Sequence, residues 1–229
     1  ICIMKITFIS DTHGKHKVLT SNAYNNILGE GDILVHAGDC TNVGKAHEIK
    51  EFLDWFSNTP FKHKVFIAGN HDFSFQLSPL LMKQFIPENL IYLEDSVVEV
   101  EGIKIFGSPW VKQFYDWAFM YPADEDRWQR FDELAAGSHI VLTHGPRYGI
   151  LDTNLADYDC RCGCELLGNF VDRVGAQMLV HGHLHDSHGV KKFQDFLVVN
   201  AAIGYYQEHE PIVVDVELED NKLKIRNIQ

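Results

Sequence analysis

The sequence predicts an α/β protein in which two mixed β-sheets pack face to face and helices cover their outer sides, a four-layer αββα sandwich. Strand-like apolar runs alternate with helical segments in the first half of the 229-residue chain, and short strand-like runs dominate the second half. Polar side chains suited to binding metal follow strands in both halves, so the halves must meet. We therefore expect residues 1–229 to form a single domain, and we interpret residues 1–3, which precede Met4, as an upstream remnant.

Three strands and three helices are predicted in the first half. The strands are Lys5–Ser10, Asp32–Ala37 and Lys64–Ala68. The helices lie near Val18–Leu28, over Ala46–Ser57, and from Pro79 onward, where Ser78-Pro79 is a suitable cap and first-turn pair. The second helix is the best defined, because its apolar residues fall at i, i+3, i+4 and i+7 on one face: Ile49, Phe52, Leu53 and Phe56.

Alternating apolar runs predict mostly β-structure in the second half. The strands are Ile91–Leu93, Val97–Val100, Ile103–Phe106, Ile140–Thr143, Met178–Val180, Val190–Phe193, Leu197–Asn200, Ile212–Leu218 and Leu223–Arg226. One helix is predicted there, over Leu166–Val174, whose apolar residues recur at helical spacing. Turns are expected at Glu101-Gly102 and at Asn221.

Composition favours a globular protein that acts on a small ligand. The chain is 45% hydrophobic and 12% aromatic, enough to bury a substantial core. No apolar run reaches the roughly 18 to 20 residues that cross a bilayer, so we expect no membrane association. The five cysteines do not form a disulfide framework, which favours reduced thiols and a cytoplasmic location. The net charge of −12 opposes binding to long nucleic acid, because phosphate contacts need a basic surface.

Five short polar blocks, each placed after a predicted strand, carry the strongest functional signal. They are Asp11-Thr12-His13, Gly38-Asp39, Gly69-Asn70-His71-Asp72, His144-Gly145 and His181-Gly182-His183. Carboxylate, amide and imidazole groups are ligands of first-row transition metals. Each block alone is common in proteins, but the ordered set of five indicates a metal centre. In an extended segment residues i and i+2 point the same way, so Asp11 and His13 are expected to face one ion, and His181 and His183 two neighbouring ions.

Two divalent cations in such a centre suit phosphate-ester chemistry. Two carboxylates leave a formal local charge of about +2, which attracts an anionic phosphate despite the acidic protein. The cations would polarise the phosphoryl group and ionise a bridging water, and the resulting hydroxide would attack phosphorus in line. Mixed nitrogen and oxygen ligands suit manganese, our first choice, and also iron, zinc, cobalt or nickel.

The blocks resemble the motifs of the calcineurin-like metallophosphoesterase superfamily: D-x-H, G-D, G-N-H-[DE], H-G, and G-H-x-H or H-G-H. The resemblance covers Asp11 through Asn200, with all five motifs intact. Further segments are similar to the branch that contains animal metallophosphoesterase-domain proteins and bacterial class III cyclic-nucleotide phosphodiesterases. These segments are His36–Asn42, Ala68–Asp72, Gly107–Trp110, Thr143–Pro146 and Gly163–Leu166.

The resemblance implies a role for each ligand. The first metal would be bound by Asp11, His13 and His183, and the second by Asn70, His144 and His181. Asp39 would bridge the two ions and so contribute to catalysis.

The resemblance also places His71 near the leaving-group oxygen. This histidine neighbours a ligand but is surplus to the coordination count, so it is free to donate a proton or a hydrogen bond. Protein Ser/Thr phosphatases of the superfamily carry G-D-x-x-D-R-G, whereas Asn42 and Val43 occupy the last Asp and Arg positions here. Protein phosphatase activity is therefore not expected.

Three further residues are candidate substrate contacts: Asn42, Arg147 and His185. Arg147 is the best candidate for a cationic phosphate clamp, because a guanidinium fork matches phosphate oxygens; the alternative is an ordinary surface arginine. Asn42 could instead be a turn residue. His185 could instead support the ligands or face solvent.

Two other segments have competing interpretations. The aromatic run Trp110–Tyr121 predicts either core beneath a long loop, which we favour, or a surface that stacks a nucleobase or forms a dimer contact. Cys160, Cys162 and Cys164 are spaced too closely for a structural zinc site and are interpreted as free thiols.

The leading hypothesis is a metal-dependent phosphoesterase that hydrolyses small phosphodiesters such as cyclic nucleotides. A phosphomonoesterase acting on nucleotides or other small phosphates is the alternative, because the same ions bind either ester. A non-catalytic metal-binding scaffold is less favoured, since every ligand and His71 are retained. The resemblance also suggests a homodimer.

Overall fold

The computed structural model describes residues 2–154 and 157–229. The strands are Ile3–Ile9 (β1), Gly31–Ala37 (β2), Phe61–Ile67 (β3), Ile91–Tyr92 (β4), Ser96–Val100 (β5), Ile103–Ser108 (β6), Val111–Lys112 (β7), Met120–Tyr121 (β8), Ile140–Thr143 (β9), Thr153–Asn154 (β10), Asp157–Arg161 (β11), Met178–His181 (β12), Gly189–Lys192 (β13), Leu197–Asn200 (β14), Ile212–Glu219 (β15) and Lys222–Ile228 (β16). The α-helices are Ala46–Ser57 (α1), Phe73–Leu77 (α2), Pro79–Phe85 (α3), Asp132–Ala135 (α4) and Glu165–Val174 (α5). Within the described ranges, no helix combines the length and apolar character needed to cross a bilayer.

Two six-stranded sheets form the body of the protein. The first has the order β16-β15-β1-β2-β3-β4. Its strands β1 to β4 are parallel, and β15 runs antiparallel to both β1 and β16. The second has the order β13-β14-β12-β9-β6-β5, with four parallel central strands and an antiparallel strand at each edge. Both sheets are mixed, as the sequence predicts.

Apolar side chains fill the space between the sheets and also cover both outer faces. Successive side chains of a strand point to opposite faces of the sheet. Ile33 of β2 therefore belongs to the core between the sheets, whereas its neighbour Leu34 packs on the outer face with Phe52 of α1. On the opposite outer face, Val141 of β9 packs with Phe170 of α5. The resulting order of helix, sheet, sheet and helix confirms the predicted four-layer architecture.

The loops that follow parallel strands of the two sheets meet at one rim. Ser10, after β1, forms an isolated parallel bridge with Ala202, after β14. Across the same rim, the N–H of His183 donates to Asp11 Oδ2 at 2.9 Å. Loops from the two halves of the chain therefore meet at this rim, as the sequence predicts.

One predicted helix is wrong. Val18–Leu28 is not α-helical; the segment contains two short 3-10 turns, His16–Thr20 and Asn22–Tyr24. The Ser21 hydroxyl accepts a hydrogen bond from the backbone two residues later, and Asn25 has a φ of 57°. Serine and asparagine side chains stabilise such local turns in competition with a continuing helix, and apolar spacing does not report this competition.

The other predicted elements are present, with small shifts at their ends. Helix α1 has the predicted bounds, Ala46–Ser57. Strand β1 begins before the predicted Lys5: Ile3 pairs with Glu217 of β15. Part of the segment interpreted as an upstream remnant therefore belongs to the sheet.

Candidate metal centre and active-site pocket

The loops after β1 and β2 turn sharply where they leave the sheet. Asp11 and Asp39 both have a φ of 54°, and His13 has a φ of 44°. The N–H of Asp11 donates to the carbonyl of Gly38 (2.9 Å), and the N–H of His13 donates to that of Asp39 (3.1 Å). The backbone is left-handed here, so the argument from extended spacing does not apply. Asp11 and His13 converge because the two loops are hydrogen-bonded to each other.

Two glycines allow these loops to approach closely. A Cβ atom on Gly69 would lie 2.2 Å from Asp39 Oδ1, and one on Gly38 would lie 2.5 Å from His144 Nδ1. Both distances are well inside van der Waals contact. A side chain at either position would displace Asp39 or His144, so glycine is required by the geometry of the site.

Asp11, His13 and His185 form the first group of candidate metal ligands. His185 Nε2 lies 3.3 Å from Asp11 Oδ1 and 3.3 Å from His13 Nε2. His13 Nδ1 is 3.2 Å from the carbonyl of Thr41, which directs its Nε2 into the group. Because Asp11 Oδ2 accepts the N–H of His183, Asp11 Oδ1 is the oxygen that faces the group.

Asp39, His144 and His183 form the second group, with Asn70 beside them. His144 Nε2 lies 3.3 Å from Asp39 Oδ2 and 3.0 Å from Asn70 Oδ1. His144 Nδ1 donates to the carbonyl of Ala37 at 2.7 Å, which leaves Nε2 facing the group.

Asp39 lies between the two groups. Its Oδ2 is 3.9 Å from His13 Nε2 of the first group and 3.3 Å from His144 Nε2 of the second. It also forms a third group with His13 and His71. This is the placement expected of a bridging carboxylate.

The structure differs from the sequence prediction in the histidines at the end of β12 and just after it. Within the described residues, His181 belongs to none of the three groups; it is fully buried, and its Nε2 has no hydrogen-bond partner. His183 contacts Asp11 through its backbone N–H, but its ring groups with His144 and Asp39. His185, predicted as a substrate contact, takes the place beside Asp11 that was predicted for His183. The chain turns at His183, where φ is 70°, so spacing along an extended strand does not describe this segment.

The electrostatics of the groups suit cations. Burial acts to raise the pKa of Asp11, but the neighbouring His185 and His144 outweigh it and hold the pKa well below its usual range. The pKa of Asp39 is lowered in the same way against burial, chiefly by His144. Both carboxylates are therefore ionised at neutral pH. Asp11 Oδ1 is buried and accepts no hydrogen bond from any described residue. A buried, ionised oxygen that faces imidazole nitrogens fits a metal ion.

A cation bound to His144 would replace a proton on its ring. Burial acts to lower its pKa, but Asp39 outweighs it and raises the pKa to about 9. In the absence of metal the ring therefore carries a proton at neutral pH. A cation bound at Nε2 would displace that proton.

His71 lies at the edge of the centre, in a cavity of about 680 Å³. Its Nδ1 donates to the carbonyl of Asn42 at 2.6 Å, and its backbone N–H donates to Asp39 Oδ1 at 2.8 Å. Its Nε2 lies 3.9 Å from Asp39 Oδ2 and 3.2 Å from the hydroxyl of Tyr205. The ring is thus held by one nitrogen, and the other faces the place where a substrate would react.

Two of the predicted substrate contacts do not line this cavity. Arg147 pairs with Asp172 of α5, at 3.1 Å from Nη1, and its guanidinium lies over the ring of Phe196. Asn42 contributes its backbone carbonyl to His71 and lies outside the described lining. The basic residues of that lining, apart from histidines, are Lys112 and Arg161.

Sequence reasoning missed Tyr205. Its ring stacks on His13, with centroids 3.9 Å apart, and its hydroxyl reaches His71 Nε2. Of the aromatic run predicted mainly as core, Phe119 and Tyr121 are buried, whereas Trp117 packs against His71 in the cavity. The run is therefore partly core and partly cavity wall.

Asp72 was also missed as a positioning residue. It is fully buried, and its carboxylate accepts backbone N–H groups from Cys40 (3.2 Å), Thr41 (3.0 Å) and Gly69 (2.9 Å). It also accepts the Thr41 hydroxyl at 2.7 Å. One carboxylate therefore ties together the loops that carry Asp39 and Asn70.

The fold and the site together define a metal-dependent hydrolase of phosphate esters. Residues 4–187 match the family described as calcineurin-like phosphoesterase. The chain is 34% identical to the human Metallophosphoesterase domain-containing protein 1, over 91% of this chain and 69% of that protein. It is 32% identical to a UPF0046 protein of Caenorhabditis elegans, over 96% of this chain and 84% of that protein. The chain belongs to the calcineurin-like phosphoesterase family.

A solved structure shares the fold. The crystal structure of a protein from Thermus thermophilus superposes with a TM-score of 0.63, at 15% identity and with 99% of both chains covered.

Proposed function

We propose that this protein hydrolyses small phosphodiesters, such as cyclic nucleotides, at a centre of two divalent cations, with manganese as the preferred metal. The observation that carries the proposal is the position of Asp39 between two groups of ligands, next to an open cavity that contains His71. We assign one cation to Asp11, His13, Asp39 and His185, and the other to Asp39, Asn70, His144 and His183.

The lining of the cavity supports a diester. A diester carries two organic substituents, and aromatic rings lie next to both ligand groups. Tyr205 stacks on His13 of the first group, and Phe114 lies 5.1 Å, between ring centroids, from His183 of the second. Such rings offer apolar and stacking contacts to organic substituents, including nucleobases. The cavity also contains positive charge at Lys112, whose ammonium donates to the carbonyl of Gly163 at 2.9 Å, whereas the charge of Arg161 is paired with Asp152.

The residues of the chain have separable tasks in this mechanism. Cations bound at this centre would polarise the phosphoryl group and would lower the pKa of a bound water. The ionised carboxylates of Asp11 and Asp39 and the neutral imidazoles hold those cations. His71 Nε2 donates a proton or a hydrogen bond to the departing oxygen, and the carbonyl of Asn42 fixes its orientation through Nδ1.

The test compares substrates on one preparation. Metal-stripped protein is reloaded with Mn²⁺ and assayed with cyclic nucleotides, nucleotide monoesters and a chromogenic linear diester. We expect kcat/KM to be highest for the diesters. A higher kcat/KM for the monoesters would replace the proposal with phosphomonoesterase activity, the alternative that the same ions allow.

Variants of His71 and Asp39 separate catalysis from metal binding. His71→Ala is expected to lower kcat about 10²- to 10⁴-fold, the usual contribution of a general acid, while both cations remain bound. Asp39→Ala is expected to abolish both activity and paired metal binding. Loss of a cation in His71→Ala would show that His71 is a ligand.

A further inference from the structure

Two thiols lie side by side in the wall of the active-site cavity. Cys160 Sγ and Cys162 Sγ are 3.6 Å apart, and both residues are partly exposed and line the cavity. The other cysteines differ from this pair. Cys2 is exposed, whereas Cys40 is buried beside Asp72, and Cys164 is buried beneath the hydroxyl of Tyr121.

We propose that Cys160 and Cys162 are an oxidation site, at which a hydroperoxide converts the two thiols into a reversible intrachain disulfide. The formation of this disulfide does not depend on the proposed function. Its effect on turnover rests on that function, because the bridge would lie in the substrate cavity.

The backbone around the pair is held in place. Strand β11 ends at Arg161, and the next residues are anchored to Asp152: the N–H of Cys162 donates to its carbonyl at 2.9 Å, and the N–H of Gly163 donates to its Oδ2 at 3.3 Å. Arg161 also donates to Asp152 Oδ1 at 2.7 Å. A disulfide requires the sulfurs to approach to about 2.05 Å. The two sulfurs, now 3.6 Å apart, must therefore move about 1.5 Å closer for the bond to form.

The chemistry balances with a hydroperoxide as the oxidant. Burial and the neighbouring Cys160 raise the pKa of Cys162 to about 11, so we assign the first attack to Cys160. The Cys160 thiolate attacks the terminal peroxide oxygen, the O–O bond breaks, and the alkoxide product takes the proton that Cys160 released. The Cys162 thiol then attacks the sulfenic sulfur; the S–O bond breaks, and oxygen leaves as water with the thiol proton. Two electrons pass from the thiol pair to the peroxide, and a dithiol reductant reverses the change by exchange.

Trypsin provides a direct readout, because Arg161 lies between the two cysteines. Cleavage at arginine separates a Tyr148–Arg161 peptide from a Cys162–Arg173 peptide. In protein treated with tert-butyl hydroperoxide, we expect these peptides to remain joined and to separate on reduction with dithiothreitol. The intact mass should fall by about 2 Da, the mass of two hydrogens.

Matched variants identify the partners. Cys162→Ser should abolish the link and leave Cys160 to oxidise further, by additions of about 16 Da per oxygen. Cys2→Ser should not change the link. Persistence of the link in Cys162→Ser would assign it to Cys164 and overturn the proposal, as would sulfinic oxidation of Cys160 without any link in the unmodified sequence.

The effect on the cavity is measured separately. Oxidised protein with a confirmed link is expected to show a higher KM for the chromogenic diester, restored by dithiothreitol. In oxidised Cys162→Ser any change in KM should persist after dithiothreitol, because thiols do not reverse sulfinic oxidation. A link without a change in KM would keep the oxidation site but reject its coupling to the cavity. If no diester or monoester is turned over at all, the proposed function fails while the mass result still stands.

Discussion

Replacing His185 and His181 by asparagine tests the assignment of the metal ligands. Asparagine keeps a polar group near the position of a histidine Nδ1 and removes the Nε2 atom. In His185→Asn this change removes the nitrogen that lies 3.3 Å from Asp11 Oδ1. In His181→Asn it removes a buried nitrogen without a hydrogen-bond partner among the described residues, while a donor to the carbonyl of Gly182 is kept.

The expected sizes of the effects are far apart. Loss of a residue that only supports a ligand lowers metal affinity about 10- to 100-fold, so loss of His185 as a ligand should cost at least about 100-fold at one cation. A Lewis-acid cation stabilises the transition state by several kcal/mol. Loss of about 4 kcal/mol of this stabilisation corresponds to roughly a 10³-fold loss of kcat. His181→Asn should keep both cations and lose less than about tenfold in kcat.

The assay combines metal analysis with turnover. Each variant is stripped, reloaded with Mn²⁺, dialysed and analysed for metal per chain, and kcat is measured with the chromogenic diester. We expect about one cation in His185→Asn and about two in His181→Asn. The opposite result, a cation lost from His181→Asn and both kept in His185→Asn, would refute the assignment and restore the one expected from the sequence.

Three other perturbations have defined outcomes. Tyr205→Phe removes the hydroxyl that contacts His71 Nε2. Because a hydrogen bond is worth about 0.5–1.5 kcal/mol, we expect a two- to tenfold fall in kcat with metal content unchanged. An unaltered kcat would exclude a positioning role for Tyr205. Asp72→Asn directs amide N–H groups at backbone donors. In urea titrations the free energy of unfolding should therefore fall by at least about 3 kcal/mol. A loss below about 1 kcal/mol would show that other contacts hold the loops. Burial lowers the pKa of His36 to about 3, against 6.5 as its ordinary value, so the unfolded chain takes up this proton first. Stability should therefore fall as pH drops below 6.5, by about 2 kcal/mol from this group at pH 5, and His36→Gln should flatten that dependence in urea titrations at pH 7 and pH 5.

The fold was largely predictable because it depends on local patterns. Helical spacing of apolar residues placed α1 at Ala46–Ser57, and short apolar or alternating runs identified the strands of both sheets. The failure at Val18–Leu28 has a local cause that spacing does not encode, the turn-forming side chains of Ser21 and Asn25.

The sequence predicted the residue types of the site, but it did not assign every histidine to the correct ligand group. His181-Gly182-His183-Leu184-His185 contains two overlapping pairs at the same spacing, and both fit a form of the family motif. Only the three-dimensional path decides which rings face Asp11. Sequence proximity to His144 also misled the interpretation of Arg147, because its guanidinium pairs with Asp172 of α5 and does not line the cavity.

The contact between Tyr205 and His71 gave no signal in the sequence. Tyr205 is 134 residues from His71, and no motif links the two. A search for aromatic residues in the loop after the last parallel strand of the second sheet could have proposed it, but could not have ranked it above the other exposed tyrosines.

The placement of the ligands on both sheets makes the metal centre a cross-link of the fold. Asp11 and Asp39 follow strands of one sheet, whereas His144 and His183 follow strands of the other. Separation of the two sheets would break the coordination, so bound metal would stabilise the folded state by mass action. At a free metal concentration one hundred times Kd, this resistance amounts to about 2.7 kcal/mol for each cation. Metal supply would then shift the folding equilibrium of the protein as well as its activity.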